Sequence, residues 1–204
     1  RPGLAQDYMQ HATGLLEMVD TLSTRLSEFV KLQDPYVDQL LGLKHLAWTL
    51  RNAGGDASLL ISATLGGRPL PPNAVAKHLE YIGQMDAAFA LLRDAAGGLP
   101  LPDRFGQAIE KTKQDFFARD FIEMRSKIIA GLAAGEKPNM TSEQWLAITT
   151  PRLATSLVIA EVALDLAKQH AGAQQAAAQR NLWLQVGLLI AAVVLALAMM
   201  WMVS

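Results

Sequence analysis

The 204-residue sequence has no cysteine, which excludes disulfide staples, thiolate-bound zinc and cysteine nucleophiles. That absence leaves the compartment open, because an oxidising space does not oblige a protein to use cysteine. Charge imbalance is missing too: 18 Lys and Arg stand against 19 Asp and Glu, interspersed and without a basic stripe, so no nucleic-acid partner is expected. There is no sustained two-residue alternation, which argues against sheet. An HExxH pair, a P-loop and a nucleophile elbow are all lacking, and the four histidines, His11, His45, His78 and His170, fall in separate segments. Gly54-Gly55-Asp56 begins like the cyclase GGDEF signature, but Ala57-Ser58 replaces its acidic-aromatic pair. The expectation is therefore a non-enzyme with no catalytic residue, no metal site and no cofactor.

One further absence divides the chain. Every charged side chain lies at or before Arg180, and Asn181–Ser204 carries none. From Leu182 to Val203 only Gln185 is strongly polar, and as a helix this stretch spans about 33 Å, one bilayer crossing. Trp183 and Trp201 would sit about 27 Å apart along it, where indoles mark the two headgroup layers. The reading is a soluble domain over 1–180 and a transmembrane helix over 181–204. Arg180 and Lys168, taken by the positive-inside rule, place the domain in the cytoplasm. The start at Arg1-Pro2-Gly3, without Met, points to a fragment or a processed product.

In the body, apolar residues recur at three and four spacing, so the expected fold is all-α: an antiparallel helical bundle of the four-helix kind whose last helix continues into the membrane. Helices are expected at roughly 4–32, 35–65, 73–96, 103–134 and 142–180. The first carries a seam of Tyr8, Ala12, Leu15, Val19, Leu22, Leu26 and Phe29. The second starts at Asp34-Pro35, an N-cap followed by proline at the first helical position, and its seam is Tyr36, Leu40, Leu43, Ala47, Leu50, Gly54, Ala57 and Ile61. The third buries Val75, Leu79, Ile82, Phe89 and Leu92. The fourth buries Phe105, Ile109, Phe117, Phe121, Met124 and Ile128, and the fifth Leu153, Leu157, Ala160 and Leu164 onward, with a kink at Pro151. Gly66-Gly67-Arg68-Pro69-Leu70-Pro71 and Gly97-Gly98-Leu99-Pro100-Leu101-Pro102 read as two similar glycine stops. With a hairpin at Pro35, alternating helix directions leave residue 1 about 45 Å above the bilayer, so an earlier helix and membrane span are expected upstream.

Lys44, Trp48, Arg51, Gly55 and Ser58 share one stripe of the second helix. Trp48, Arg51 and Lys44 could hold a small anionic ligand, the guanidinium forking onto a carboxylate or oxoanion and the indole closing one wall. The alternative is that Trp48 packs on a neighbouring helix while Arg51 pairs with Asp86 or Glu123. Gly54-Gly55 within a helix suggests close approach of a neighbour. Arg68 in its connector and Arg152 beside Trp145 and Pro151 are further ligand-binding candidates at the ends of the bundle.

His45-Leu46-Ala47-Trp48-Thr49-Leu50-Arg51-Asn52-Ala53-Gly54-Gly55, then Trp145, then Ala163-Leu164-Asp165-Leu166-Ala167 leading into an apolar span, resemble the extracytoplasmic sensor region of bacterial methyl-accepting chemotaxis receptors and related sensor kinases. The resemblance covers nearly the whole chain. It implies a periplasmic ligand-sensing bundle between two spans of the bacterial inner membrane, a homodimer, and downstream cytoplasmic HAMP and signalling modules. It also opposes the orientation that Arg180 suggests. The other reading is a tail-anchored cytosolic adaptor whose helical groove binds a partner helix.

Overall fold

The computed structural model describes residues 10–12, 14, 15, 17–19, 21–25 and 34–203. The described residues between 10 and 25 are helical, and five helices follow Asp34: α1 (Pro35–Leu65), α2 (Ala74–Gly97), α3 (Asp103–Phe116), α4 (Arg119–Ala133) and α5 (Ser142–Val203). There is no strand among the described residues. They fall in two compact units, the first ending at Leu164 and the second beginning at Asp165.

Local chemistry sets the ends of α1. Asp34 Oδ1 accepts from the backbone N–H groups of Tyr36 (2.9 Å) and Val37 (3.2 Å), and Pro35 occupies the position where no helical donor is needed. At the other end Gly67 adopts φ +92°, and the Arg68 N–H returns to the Ala63 carbonyl at 3.0 Å, closing the last turn as only a residue at ease with positive φ allows. Gly135, φ +75°, closes α4 in the same way, with the Glu136 N–H on the Gly131 carbonyl. The second glycine connector differs from the first: Gly97 is still helical and Gly98 has φ −88°, so the two repeats are not equivalent caps.

The buried face of α1 runs Val37, Leu40, Leu43, Ala47, Leu50, Ala53, Gly54, Ala57, Ser58, Ile61 and Ser62, the expected seam with Val37 in place of Tyr36. Other expectations shift. Helix α2 buries Ala74, His78, Met85, Ala88, Phe89 and Leu92, while Val75 and Leu79 are exposed, so small and polar residues occupy the inner face at its start. The single helix expected over 103–134 is broken at Phe117–Ala118, where Ala118 turns extended (ψ 134°). Adjacent positions of an unbroken helix point about 100° apart. The break instead lets Phe117 stack on Phe89 (4.5 Å between centroids) while Phe116 meets both Phe117 (5.3 Å) and Phe121 (6.0 Å), uniting four rings. In the N-terminal segment the seam residues Leu15, Val19 and Leu22 are exposed, together with Met18; Tyr8, Leu26 and Phe29 lie outside the described residues.

Helix α5 begins with a capping box: the Thr141 N–H donates to Gln144 Oε1 (2.9 Å) and the Gln144 N–H to Thr141 Oγ1 (3.2 Å). Up to Leu164 its buried face is Trp145, Thr149, Thr155, Ser156, Ile159, Ala160 and Ala163, and Leu164 itself is exposed. The expected Leu153, Leu157 and Leu164 seam is therefore displaced toward hydroxyl and small side chains. Those hydroxyls are satisfied. Ser62 and Ser142 share a hydrogen bond (2.8 Å), Ser58 Oγ donates to Thr149 Oγ1 (3.0 Å), and Ser156 Oγ donates to the Leu153 carbonyl (2.7 Å). The Trp145 indole N–H reaches both the carbonyl and the hydroxyl of Ser58 at 3.0 Å.

Gly54 is the point of closest approach. A β-carbon there would lie 2.6 Å from Phe116 Cζ, 2.8 Å from Leu153 Cδ2 and 3.3 Å from Met85 Sδ, so α2, α3 and α5 all press on one glycine of α1. Gly54→Ala is expected to destabilise the fold by about 1–3 kcal/mol through overpacking. Gly42→Ala, on the same helix with nothing within 4 Å, should instead stabilise by about 0.5–1 kcal/mol. Denaturant titration of both variants checks the pair, and equal shifts of the same sign would refute the contact.

Candidate functional site

Along the α1 stripe Lys44, Trp48, Arg51 and Gly55 are half-buried, while Ser58 is buried. Lys44 Nζ donates to Ser23 Oγ at 2.8 Å, tying the N-terminal segment to α1. The Arg51 guanidinium carbon lies 5.7 Å from the Trp48 ring centroid, and its Nη1 donates to Asn52 Oδ1 at 3.3 Å. Neither acid considered for Arg51 is its partner: Glu123 pairs with Arg119 at 2.8 Å, and Asp86 acts on Arg125. The carboxylate near Arg51 is Asp56, whose pKa burial raises, with Arg51 and Lys77 working against the rise. Arg68 is exposed in its connector. The structure thus joins Trp48 to Arg51, and it draws Arg152 into a different cluster.

That cluster centres on Phe121 of α4. Phe121 stacks on Trp145 with centroids 6.1 Å apart and planes 18° apart, and Trp145 is anchored on Ser58. Two guanidinium groups face the same ring, Arg152 at 4.9 Å and Arg125 at 5.5 Å from its centroid, and Arg125 also lies 5.9 Å from the Phe116 ring. Arg125 is 5% exposed; its contacts are aromatic faces and Met85 Sδ, which Nη1 meets at 4.0 Å. Arg152 Nη1 donates to the Ile148 carbonyl (2.8 Å). His78, 3% exposed on α2, lies within electrostatic reach of Arg125.

Four nitrogens in this cluster are buried without a hydrogen-bond partner: both ring nitrogens of His78, Nε of Arg125 and Nε of Arg152. Removing a cation from water costs several kcal/mol unless it is paired. Each ring face returns only about 0.5–2 kcal/mol, so the aromatic box cannot offset that cost alone. Burial accordingly pulls the Arg125 pKa down to about 10, Asp86 partly opposing; the group remains charged at neutral pH. Burial, and then the Arg125 charge, push His78 down to about 4, so its imidazole is neutral there. The cluster is a positive charge in a dry aromatic box with hydrogen-bonding nitrogens left unpartnered.

His78 and Arg125 were not singled out by pattern reading. Arg125 follows Phe121 by four and precedes Ile128 by three, and so sits on the expected seam, but the neighbouring Met124 is the more apolar choice for that face. His78 stands beside Leu79 for the same reason. The available signal was a charged residue recurring in phase with buried aromatics. Elsewhere, a cleft of about 400 Å3 opens at the α2–α3 connector between Arg93, Leu101, Phe105 and Glu110, and contains none of the nominated side chains.

The depressed His78 pKa gives a pH dependence with a definite sign. Between the unfolded value near 6.5 and the folded value of about 4, the unfolded chain binds a proton that the folded chain refuses. Stability contributed by neutral His78 is complete above pH 6.5 and is lost as pH falls, by about 3 kcal/mol near pH 4. Denaturation between pH 7 and 4 should show this loss, and His78→Gln should remove most of it; an unchanged slope would place the acid sensitivity elsewhere. The chain matches no protein-family model, no curated protein and no solved structure.

Proposed function

We propose that this chain is the ligand-sensing part of a membrane-anchored signal receptor, of the kind that the extracytoplasmic regions of bacterial chemotaxis receptors exemplify. The observation that carries the reading is α5. One helix bears Trp145 and Arg152, two members of the buried cationic cluster, and also the uncharged stretch after Arg180. By length and composition this helix is able to cross a membrane, and its most apolar 18-residue window has no buried residue. Side chains such as Leu188, Leu189 and Leu195 are largely exposed, which suits lipid contact.

In this reading the body is an antiparallel bundle on the periplasmic face of a bacterial inner membrane. The pairs Ser62–Ser142 and Ser58–Thr149 support the antiparallel sense for α1 and α5, since one number falls as the other rises. Ser23 and Lys44, nearly equidistant from Asp34, support a hairpin there. A second copy would cover Leu15, Met18, Val19 and Leu22. Occupancy of the site would displace α5 by about 1–2 Å, the scale of helix shifts in known switches, and hand that movement to cytoplasmic modules.

Because the native sequence has no cysteine, single substitutions give unambiguous labels. Pro100→Cys, in an exposed connector, should react with a membrane-impermeant maleimide in intact cells, whereas Met202→Cys should react only after permeabilisation. The opposite pattern would favour a cytosolic tail-anchored adaptor. Leu195→Asp should cost about 2.5–3.5 kcal/mol of insertion free energy and shift the chain out of the membrane fraction; unchanged membrane association would remove the span from the proposal.

A further inference from the structure

The geometry points to a specific binding site: Arg125 and Arg152, which approach the same Phe121 ring from two helices, hold one small anion, a carboxylate or an inorganic oxyanion. This rests on the receptor reading only for its consequence, since it names the ligand class of that receptor's site; the binding itself stands on the cluster.

Three observations converge. Arg125 is a buried cation with no ion pair among the described residues; its nearby acid, Asp86, is exposed and acts at longer range. A guanidinium presents five donors in a rigid fork, yet the contact given to its nitrogens here is a thioether sulfur at 4.0 Å, and Nε is buried without a partner. Arg152, on another helix and against the same ring, also has Nε buried and unpartnered, while its Nη1 is spent on a backbone carbonyl. Two spare guanidinium edges from α4 and α5 therefore flank one aromatic ring.

His78, within electrostatic reach of Arg125, suits the same ligand as a neutral donor. Its ring nitrogens are both buried and unpartnered, and a neutral imidazole keeps one N–H to give. An anion would supply what each group lacks: an acceptor for Nε of both arginines, an acceptor for the imidazole N–H, and a countercharge for Arg125. The aromatic neighbours Phe116, Phe121 and Trp145 exclude water, which strengthens the electrostatic attraction and disfavours a large hydrated ion.

The test uses the full chain in lipid nanodiscs, exchanged into Bis-Tris chloride buffer at pH 7, whose small anion is neither a carboxylate nor an oxyanion. Sodium acetate and sodium nitrate are the probes, separating an organic carboxylate from an inorganic oxyanion. At least one should raise Tm saturably and bind with one-to-one stoichiometry by calorimetry. Arg125→Met should weaken that binding by about a hundredfold and itself raise Tm in the chloride buffer without probe, because it removes an unpaired buried cation. Arg152→Gln should weaken binding about tenfold while leaving the chain folded. Saturable binding that both variants retain within a factor of about two would overturn the assignment, as would saturation by neither probe. An anion that binds as expected without moving spin labels placed along α5 would sink the receptor reading and leave the site standing.

Discussion

The indole N–H of Trp145 is the contact on which the arrangement of the cluster hangs. It is bonded to both oxygens of Ser58, and the Ser58 hydroxyl donates in turn to Thr149 Oγ1, so one residue of α1 is gripped from two successive turns of α5. With Trp145 fully buried, the bond has no water to compete with it, and losing it would leave a donor stranded. Phe121 leans on that indole, and the two guanidinium groups lean on Phe121. Position passes outward from a hydrogen bond to a ring, and from the ring to the charges.

The chain keeps its inner faces narrow to make this possible. Gly54 admits Phe116, Met85 and Leu153 to the surface of α1, and Ser, Thr and Ala line the side of α5 that faces inward before Leu164. Close packing of this sort costs backbone entropy at the glycine and side-chain volume everywhere else. It concentrates the bulky aromatics of α3 and α4 in one place, where the break at Phe117–Ala118 lets consecutive rings meet. Arginines enter that aromatic centre in place of further aliphatic side chains, and this is what distinguishes the core from an ordinary helical one.

Much of the helical organisation was legible from periodicity. The α1 seam, the Asp34-Pro35 start and the uncharged terminal stretch of α5 all follow from rules that act on neighbouring residues. Phe89 and Leu92 of α2 and Ala160 of α5 are buried as expected, whereas the start of α2 and other turns of α5 turn inward on Ala74, His78, Thr149 and Ser156, because periodicity favours the largest apolar side chains and the interior here takes small and polar ones. The break in 103–134 was hidden because no proline or glycine marks Phe117-Ala118; its cause is tertiary, the stacking on Phe89. Arg152 was nominated from its place beside Trp145 and Pro151. Arg125 and His78 were missed since a charged or titratable side chain gives no local sign that three helices will enclose it. Of the α1 candidates, Arg51 lies against Trp48, whereas Lys44 binds Ser23 of the N-terminal segment.

Pro151 lies inside α5, which is helical on both sides of it. Proline has no N–H, so the Ala147 carbonyl loses its helical donor one turn before Arg152, and the same turn carries the Arg152 bond to the Ile148 carbonyl. The helix is therefore softest where it meets the charge cluster. A turn whose hydrogen bonds are all made resists bending through every one of them. A turn with one carbonyl left without its donor bends at lower cost, and here that turn is the one that carries Arg152.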